Sequence, residues 1–255
     1  MNAILVPSRS PIARGEALVV GADDALRRAL VAELRALPMP VATADSLAAA
    51  AAEARRGEAS PRVVLVAEHE VEPDELEGQL AELRVRSGAS RVVPLVFGRA
   101  PSADRRAALR RAGAELALFG RFGRHALRFQ INRALATPAR RRAERGELRA
   151  PMEWRTRVFA EGREKLVRCY TLSSTGGYFV TPRPWVVGSS VCLELPGAQP
   201  ARFQIEGRIV YTHAAGQDGE KHLPRGMAVA FSRLDANLEQ VIRRGVAATQ
   251  AALEV

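Results

Sequence analysis

The chain has 255 residues, 47% of them hydrophobic and 26% charged, and carries a formal net charge of +10. That length suits two domains of ordinary size, and the apolar share excludes wholesale disorder and collagen-like repeats. No apolar run approaches the roughly 20 residues a spanning helix requires, which excludes such a helix.

Ile4-Leu5-Val6 has no basic stretch ahead of it, so residues 1–15 read as a flexible tail rather than a secretory leader. From Glu16 to Thr137, short apolar runs alternate with amphipathic stretches. Ala17-Leu18-Val19-Val20 reads as a strand ending at Gly21. Asp23 or Asp24 then caps a helix whose Leu26, Leu30, Val31 and Leu34 recur at helical spacing. A strand over Pro38–Ala42 is followed by a helix over Leu47–Arg56, opened by Asp45-Ser46. Arg62–Val66 is a continuous β-branched run, as a strand buried on both faces requires. A helix over Pro73–Arg86, a strand at Val92–Phe97 and a helix at Ser102–Ala112 come next, with Gly113 as the stop. Leu116–Phe119 and Gly123–Leu135 complete the series. Repeated β-α units with short links specify an α/β fold, a five-stranded doubly wound parallel sheet over residues 16–138.

Beyond Pro138 the texture changes. Residues 139–149 carry Arg140, Arg141, Arg142, Arg145 and Arg149 without an apolar stripe, and read as an Arg-rich linker. Short β-rich runs follow at 153–159, 166–171, 177–181, 190–195, 203–211 and 226–231, punctuated by Gly, Pro and Ser. Their spacing predicts a small antiparallel β-barrel over residues 150–255, ending in a helix whose Leu238, Val241, Ile242 and Val246 share one face.

Chemistry is sparse. Cys169 and Cys192 lie in separate apolar runs, so two reduced thiols of a cytoplasmic protein are expected. His69, His125, His213 and His222 have no metal-ligand spacing, and no metal is expected. No Ser-His-Asp or Cys-His arrangement and no paired catalytic carboxylates can be placed, so the chain is not expected to be an enzyme. The basic balance favours an anionic partner.

The β-α order, Val19-Val20 through Ala25-Leu26-Arg27-Arg28, and Gly113-Ala114 before the last unit together resemble the receiver domain of bacterial response regulators. The resemblance implies an acidic pair after the first strand, a phosphoacceptor Asp after the third, Ser/Thr after the fourth and Lys after the fifth. Gly21 and Ala22, Ala67, Gly98 and Gly120 stand there instead. With no nucleophile and no hard-metal ligands, a pseudo-receiver used for dimerisation or docking is expected. Asp23, Asp24 and Glu68 are the alternative, a shifted Mg²⁺ or phosphate site.

The second half resembles a PilZ domain, a family of small barrels known as cyclic di-GMP receptors. Arg145-Gly146-Glu147-Leu148-Arg149 supplies an R-x-x-x-R before Ala150-Pro151-Met152. Thr171-Leu172-Ser173-Ser174-Thr175-Gly176-Gly177-Tyr178-Phe179-Val180 is similar to the D/N-x-S-x-x-G motif. Val187 to Val191, Gly207 to Val210 and Pro224 to Phe231 match later strands in order. The resemblance implies a non-enzymatic effector that binds cyclic di-GMP through Arg145, Arg149, Ser174 and Gly177, with Arg141 and Thr171 as further candidates. Guanidinium groups fork onto phosphates or guanine O6/N7 and stack on purines, which suits them to this dianion. The ligand would order the linker on the barrel, alter the domain arrangement and engage an unknown protein partner. One departure stands out. In the Gly177 register Leu172 replaces D/N, and in the Gly176 register Thr171 does. The competing readings are a ligand-independent adaptor and a nucleic-acid binder, the latter lacking any recognition helix.

Overall fold

The structure, a computed structural model, describes residues 16–37, 39–54, 60–136, 147–196, 202–213 and 223–255. The expected tail over 1–15, together with Arg141, Arg145 and His222, lies outside the described residues. The chain divides into two compact units, one running to Gly120 with Val255, the other Arg121–Glu254.

The first unit holds β1 (Ala17–Val20), α1 (Ala25–Arg35), β2 (Val41–Ala44), α2 (Leu47–Glu53), β3 (Val63–Ala67), a 3-10 turn (Glu68–Glu70), α3 (Pro73–Ser87), β4 (Val93–Gly98), α4 (Ala103–Arg111) and β5 (Leu116–Phe119). The strands pair in parallel in the order β2-β1-β3-β4-β5. That order is the doubly wound one, with its switch point between β1 and β3. Every residue of β1 and β3 is buried, which explains their unbroken Val/Leu/Ala composition: such strands have no solvent face to alternate toward. Asp24, Ser46 and Ser102 accept bonds from the first-turn amides of α1, α2 and α4. Gly88, at φ 70°, ends α3. The second strand begins three residues later than the sequence pattern predicts, because its register is fixed by Ala44 lying opposite Val20.

The second unit begins with α5 (Arg124–Leu135) and continues through β6 (Ala150–Pro151), β7 (Arg155–Ala160), β8 (Arg163–Leu172), β9 (Gly176–Val180), β10 (Ser190–Pro196), β11 (Arg202–His213), β12 (Gly226–Phe231) and α6 (Ala236–Ala251). The sequence pattern groups α5 with the parallel sheet, whereas its contacts place it with the barrel. The antiparallel order β8-β7-β10-β11-β12-β9 closes back on β8, and β6 pairs with β8 beyond the reach of β7. Glu161 (φ 51°) and Gly162 (φ 68°) make the two-residue turn between β7 and β8, the doubly positive geometry that matches strand twist. Inward side chains of all six barrel strands, Val158, Cys169, Phe179, Leu193, Ile205 and Met227 among them, share one core with Leu238, Ile242 and Val246 of α6. Trp185 is buried in it and Trp154 packs against it. Both cysteines are free, and burial pushes the Cys169 thiol far up. No described helix is long and apolar enough to cross a membrane.

Candidate functional site

In a doubly wound sheet the ligand position lies at the C-terminal ends of the strands, beside the switch point. Here the chain fills that position with its own arginines. A Cβ added at Gly21 (φ 140°) would meet the Ala67 Cβ at 2.9 Å, so the two loops pack in direct contact. Arg27 Nη1 donates to the Gly21 carbonyl (2.5 Å), the Ala44 carbonyl (3.3 Å) and Asp45 Oδ1 (3.1 Å). Arg105 donates to Glu68 Oε1 (2.5 Å) and to the carbonyls of Glu68 (3.1 Å) and Val71 (2.6 Å). The carboxylates of the alternative shifted site are each engaged elsewhere: Asp23 with Arg27 and Arg28, Asp24 with the start of α1, Glu68 with Arg105. Among the described residues no group of three or more His, Cys, Asp or Glu could hold a metal ion.

The second unit is built differently. Side chains that alternate away from the barrel core form an outer row: Tyr178 lies opposite Ala228, and Ala228 opposite Tyr211. Tyr170 joins the row, edge-on to Tyr178 at 6.0 Å, and α5 covers that end. There His125 meets the Tyr170 ring edge-on at 5.3 Å, Asn132 donates to its hydroxyl at 3.3 Å, and Phe129 packs on the cluster. The Tyr178 hydroxyl donates to the Pro224 carbonyl at 2.6 Å. Burial pushes the phenols of Tyr170 and Tyr178 up. Tyr211, 6.0 Å from Tyr178, remains 46% exposed and forms the open end. Burial raises its phenol as well, and the Arg149 charge opposes the shift.

Arg149 is placed by β6, whose Ala150 lies opposite Leu172 at the end of β8. It therefore stands beside the β8–β9 turn, which the Ser173 amide closes on the Gly176 carbonyl at 2.8 Å. Over this turn sits Glu147. Ser174 Oγ donates to its Oε1 at 2.9 Å, and Thr175 Oγ1 donates to its Oε2. Burial raises the Glu147 carboxyl, but the Thr175, Ser174 and Ser173 hydroxyls and the Arg149 charge outweigh it and hold the group below the ordinary value.

Of the residues the sequence singles out, Arg149 and Ser174 come together here. Thr171 and Gly177 lie one step back, opposite Tyr178 and Leu172 respectively. Leu172 belongs to the barrel core and faces away from this surface. Gly176 and Gly177 have packing duties of their own, since an added Cβ would meet the Val229 carbonyl at 2.4 Å or the Phe179 ring at 2.9 Å. Sequence reasoning missed Glu147 and Tyr211. The first is 27 residues from Ser174. The second follows a bulge between Ile209 and Tyr211 that breaks the strand's two-residue alternation.

Comparison with known proteins gives this surface a context. Residues 139–248 match the family model of the PilZ domain. No protein of curated function matches the chain by sequence. Solved structures similar to parts of it include the following. The inhibitor of motility MotI/DgrA of Bacillus subtilis shares 18% identity over 42% of this chain, with a TM-score of 0.36. The matched part spans 51% of that protein, about half its length. The PilZ domain of Escherichia coli YcgR, solved with c-di-GMP, shares 16% identity over 42% of this chain and 92% of its own, at a TM-score of 0.34. The CpaE2 pilus assembly protein of Sinorhizobium meliloti shares 19% over 46% of this chain and 98% of its own, at 0.35.

Proposed function

We propose that this chain, whose residues 139–248 form a PilZ domain behind a receiver-like parallel-sheet domain, is a non-enzymatic cyclic di-GMP effector. The observation that carries the reading is Arg149 standing at once beside the hydroxyl-bearing turn Ser173–Gly176 and within electrostatic reach of the exposed ring of Tyr211. A guanidinium, an aromatic face and a row of hydroxyls are what a dinucleotide with two phosphates and two purines needs. Arg149 forks onto a phosphate or a guanine O6/N7 edge, Tyr211 stacks on a base, and Ser174 bonds a polar edge. Arg141 and Arg145 of the linker wrap the second phosphate, and the altered surface then engages a protein partner in the cytoplasm. The receiver-like domain, with Ala67 where a phosphoacceptor would stand, contributes self-association or docking.

Calorimetric titration of the full chain with cyclic di-GMP tests this. Saturable binding is expected, and Arg149→Ala should weaken it by about 100-fold, because one substitution removes a charge-assisted fork and a stacking surface together. Wild-type protein that gives no heat and no thermal shift at millimolar ligand would end the receptor reading. One observation favours the adaptor as a second reading: Leu172 is buried in the core, so in the Gly177 register no amide or acid from β8 reaches a guanine. In that case full-length protein captures its partner equally well with and without the dinucleotide.

A further inference from the structure

The turn that holds Glu147 also prepares it. A carboxylate has about four lone-pair positions, two on each oxygen. Among the described residues Ser174 takes one on Oε1 and Thr175 takes one on Oε2. The nearby Ser173 hydroxyl gives its one proton to the Gly176 carbonyl, so a position remains on each oxygen. A carboxylate sets its two oxygens side by side, which suits a pair of adjacent N–H donors. Guanine presents such a pair on its Watson–Crick edge, the ring N1–H and the exocyclic N2–H. Adenine and hypoxanthine do not.

We propose that Glu147 is the residue that selects guanine, accepting the N1–H and N2–H of one base of the bound dinucleotide. The proposal rests on the cyclic di-GMP reading above and deepens it by assigning the base-discriminating contact to a residue of the linker end rather than to the β8–β9 turn. Arg149, Tyr211 and Glu147 together offer a fork for the O6/N7 edge, a stacking face, and a twin acceptor for the opposite edge. The two hydroxyls fix the carboxylate in place before ligand arrives, which lowers the ordering cost at binding. They also keep it ionised, as does Arg149, so it accepts and does not donate. Buried polar edges left unmatched discriminate strongly against the wrong base, whereas stacking does so weakly.

The test compares cyclic di-GMP with cyclic di-IMP, whose hypoxanthine lacks the exocyclic amine, by calorimetry on the full-length protein. Wild type should prefer the guanine ligand by about tenfold or more, the value of one lost charge-assisted hydrogen bond. Glu147→Gln places an amide N–H against the base donors, so binding of cyclic di-GMP should fall at least tenfold and the preference over cyclic di-IMP should shrink toward one. Glu147→Ala should lose the preference in the same way, while Tyr211→Ala weakens both ligands and keeps the ratio. An unchanged melting temperature in each variant separates recognition from folding. If Glu147→Gln binds as tightly as wild type, or tighter, with the preference intact, while Arg149→Ala still weakens binding about 100-fold, the assignment of Glu147 is overturned and the receptor reading stands. If neither wild type nor any variant binds either dinucleotide, both are overturned.

Discussion

The two units each hold an ion beside the loops that follow their strands, and they hold it differently. In the first, Arg27 and Arg105 donate to the carbonyls of Gly21, Ala44, Glu68 and Val71 and to Asp45 and Glu68. The acceptors are loop ends and carboxylates of the same unit, so the guanidiniums close the mouth of the sheet. In the second, Glu147 receives one hydroxyl per oxygen and lies beside an exposed arginine and a half-exposed tyrosine. The chemistry is similar, an ion fixed by hydrogen bonds. A saturated ion belongs to the structure, and one with acceptor positions to spare can belong to a site.

That contrast breaks if substitutions in the two places have the same consequences. The largest expected effect is on stability, in the first unit. Arg105→Met keeps the aliphatic stem and removes three hydrogen bonds, leaving Glu68, whose side chain is only 13% exposed, without its cation. Removing one partner of a well-buried pair costs several kcal/mol, and the partial exposure of Arg105 reduces this to about 2 kcal/mol. Chemical denaturation followed by a probe in the first unit should show the loss, and Glu68→Gln on the Met background should recover part of it. Affinity for cyclic di-GMP should not move. A stable Arg105→Met protein would mean that the mouth of the sheet is not held by this ion.

The fold was legible in the sequence to within a few residues because it rests on periodicity. The unbroken Val63–Val66 run suits a doubly buried strand, and the burial of Ser190–Leu195 alternates as in a half-buried one. What was not legible depends on contacts between distant positions. α5 reads as one more β-α unit because Leu127, Ile131, Ala134 and Leu135 have helical spacing; nothing local says that Phe129 and Asn132 cover Tyr170 on the barrel. In the candidate site, Arg149 and Ser174 were visible because the family resemblance marks them. Glu147 lay inside the same five-residue motif but at a position the motif leaves open, and only the pairing of β6 with β8 brings it over the turn. The D/N question has a similar answer. Leu172 alternates inward, so the side of the strand, which sequence spacing left open across the bulge at Cys169/Thr171, decides what it can touch.

In the second unit the expected pattern reverses, with binding changed and stability spared. Tyr211→Ala removes a half-exposed ring that lies tilted against Tyr178, so unfolding stability should shift by less than about 1 kcal/mol. Affinity for cyclic di-GMP should drop about tenfold, the value of one base stacked on an aromatic side chain. Tyr211→Phe should retain most of it, since stacking uses the face and not the hydroxyl. A Tyr211→Ala protein with full affinity would remove the aromatic wall from the site and leave Arg149 as the only stacking surface.

The smallest effect sharpens the comparison most, because it reads the Glu147 ion directly. Its folded-state pKa lies below the ordinary 4.5, held down against desolvation by the Thr175, Ser174 and Ser173 hydroxyls and by Arg149. A carboxylate whose pKa is depressed on folding adds stability that is complete above the unfolded value, and that is lost as pH falls through the folded one. Because Glu147 is partly exposed, solvent screening leaves a contribution of only a few tenths of a kcal/mol. Global unfolding would bury so small a difference, so the measurement is local: hydrogen exchange at the Ser173 amide, which closes the turn on the Gly176 carbonyl, wild type against Glu147→Gln, across about pH 3 to 7. Protection in wild type should exceed that of the variant by a constant margin at neutral pH, and the margin should close below pH 4.5. A margin that persists to the acid end would mean the turn is held by packing alone, with Glu147 a bystander. If the margin closes as expected, the guanine preference should vanish over the same interval. A protonated Glu147 offers a donor where the base already has two, so one titration would then account for both the turn and the selectivity.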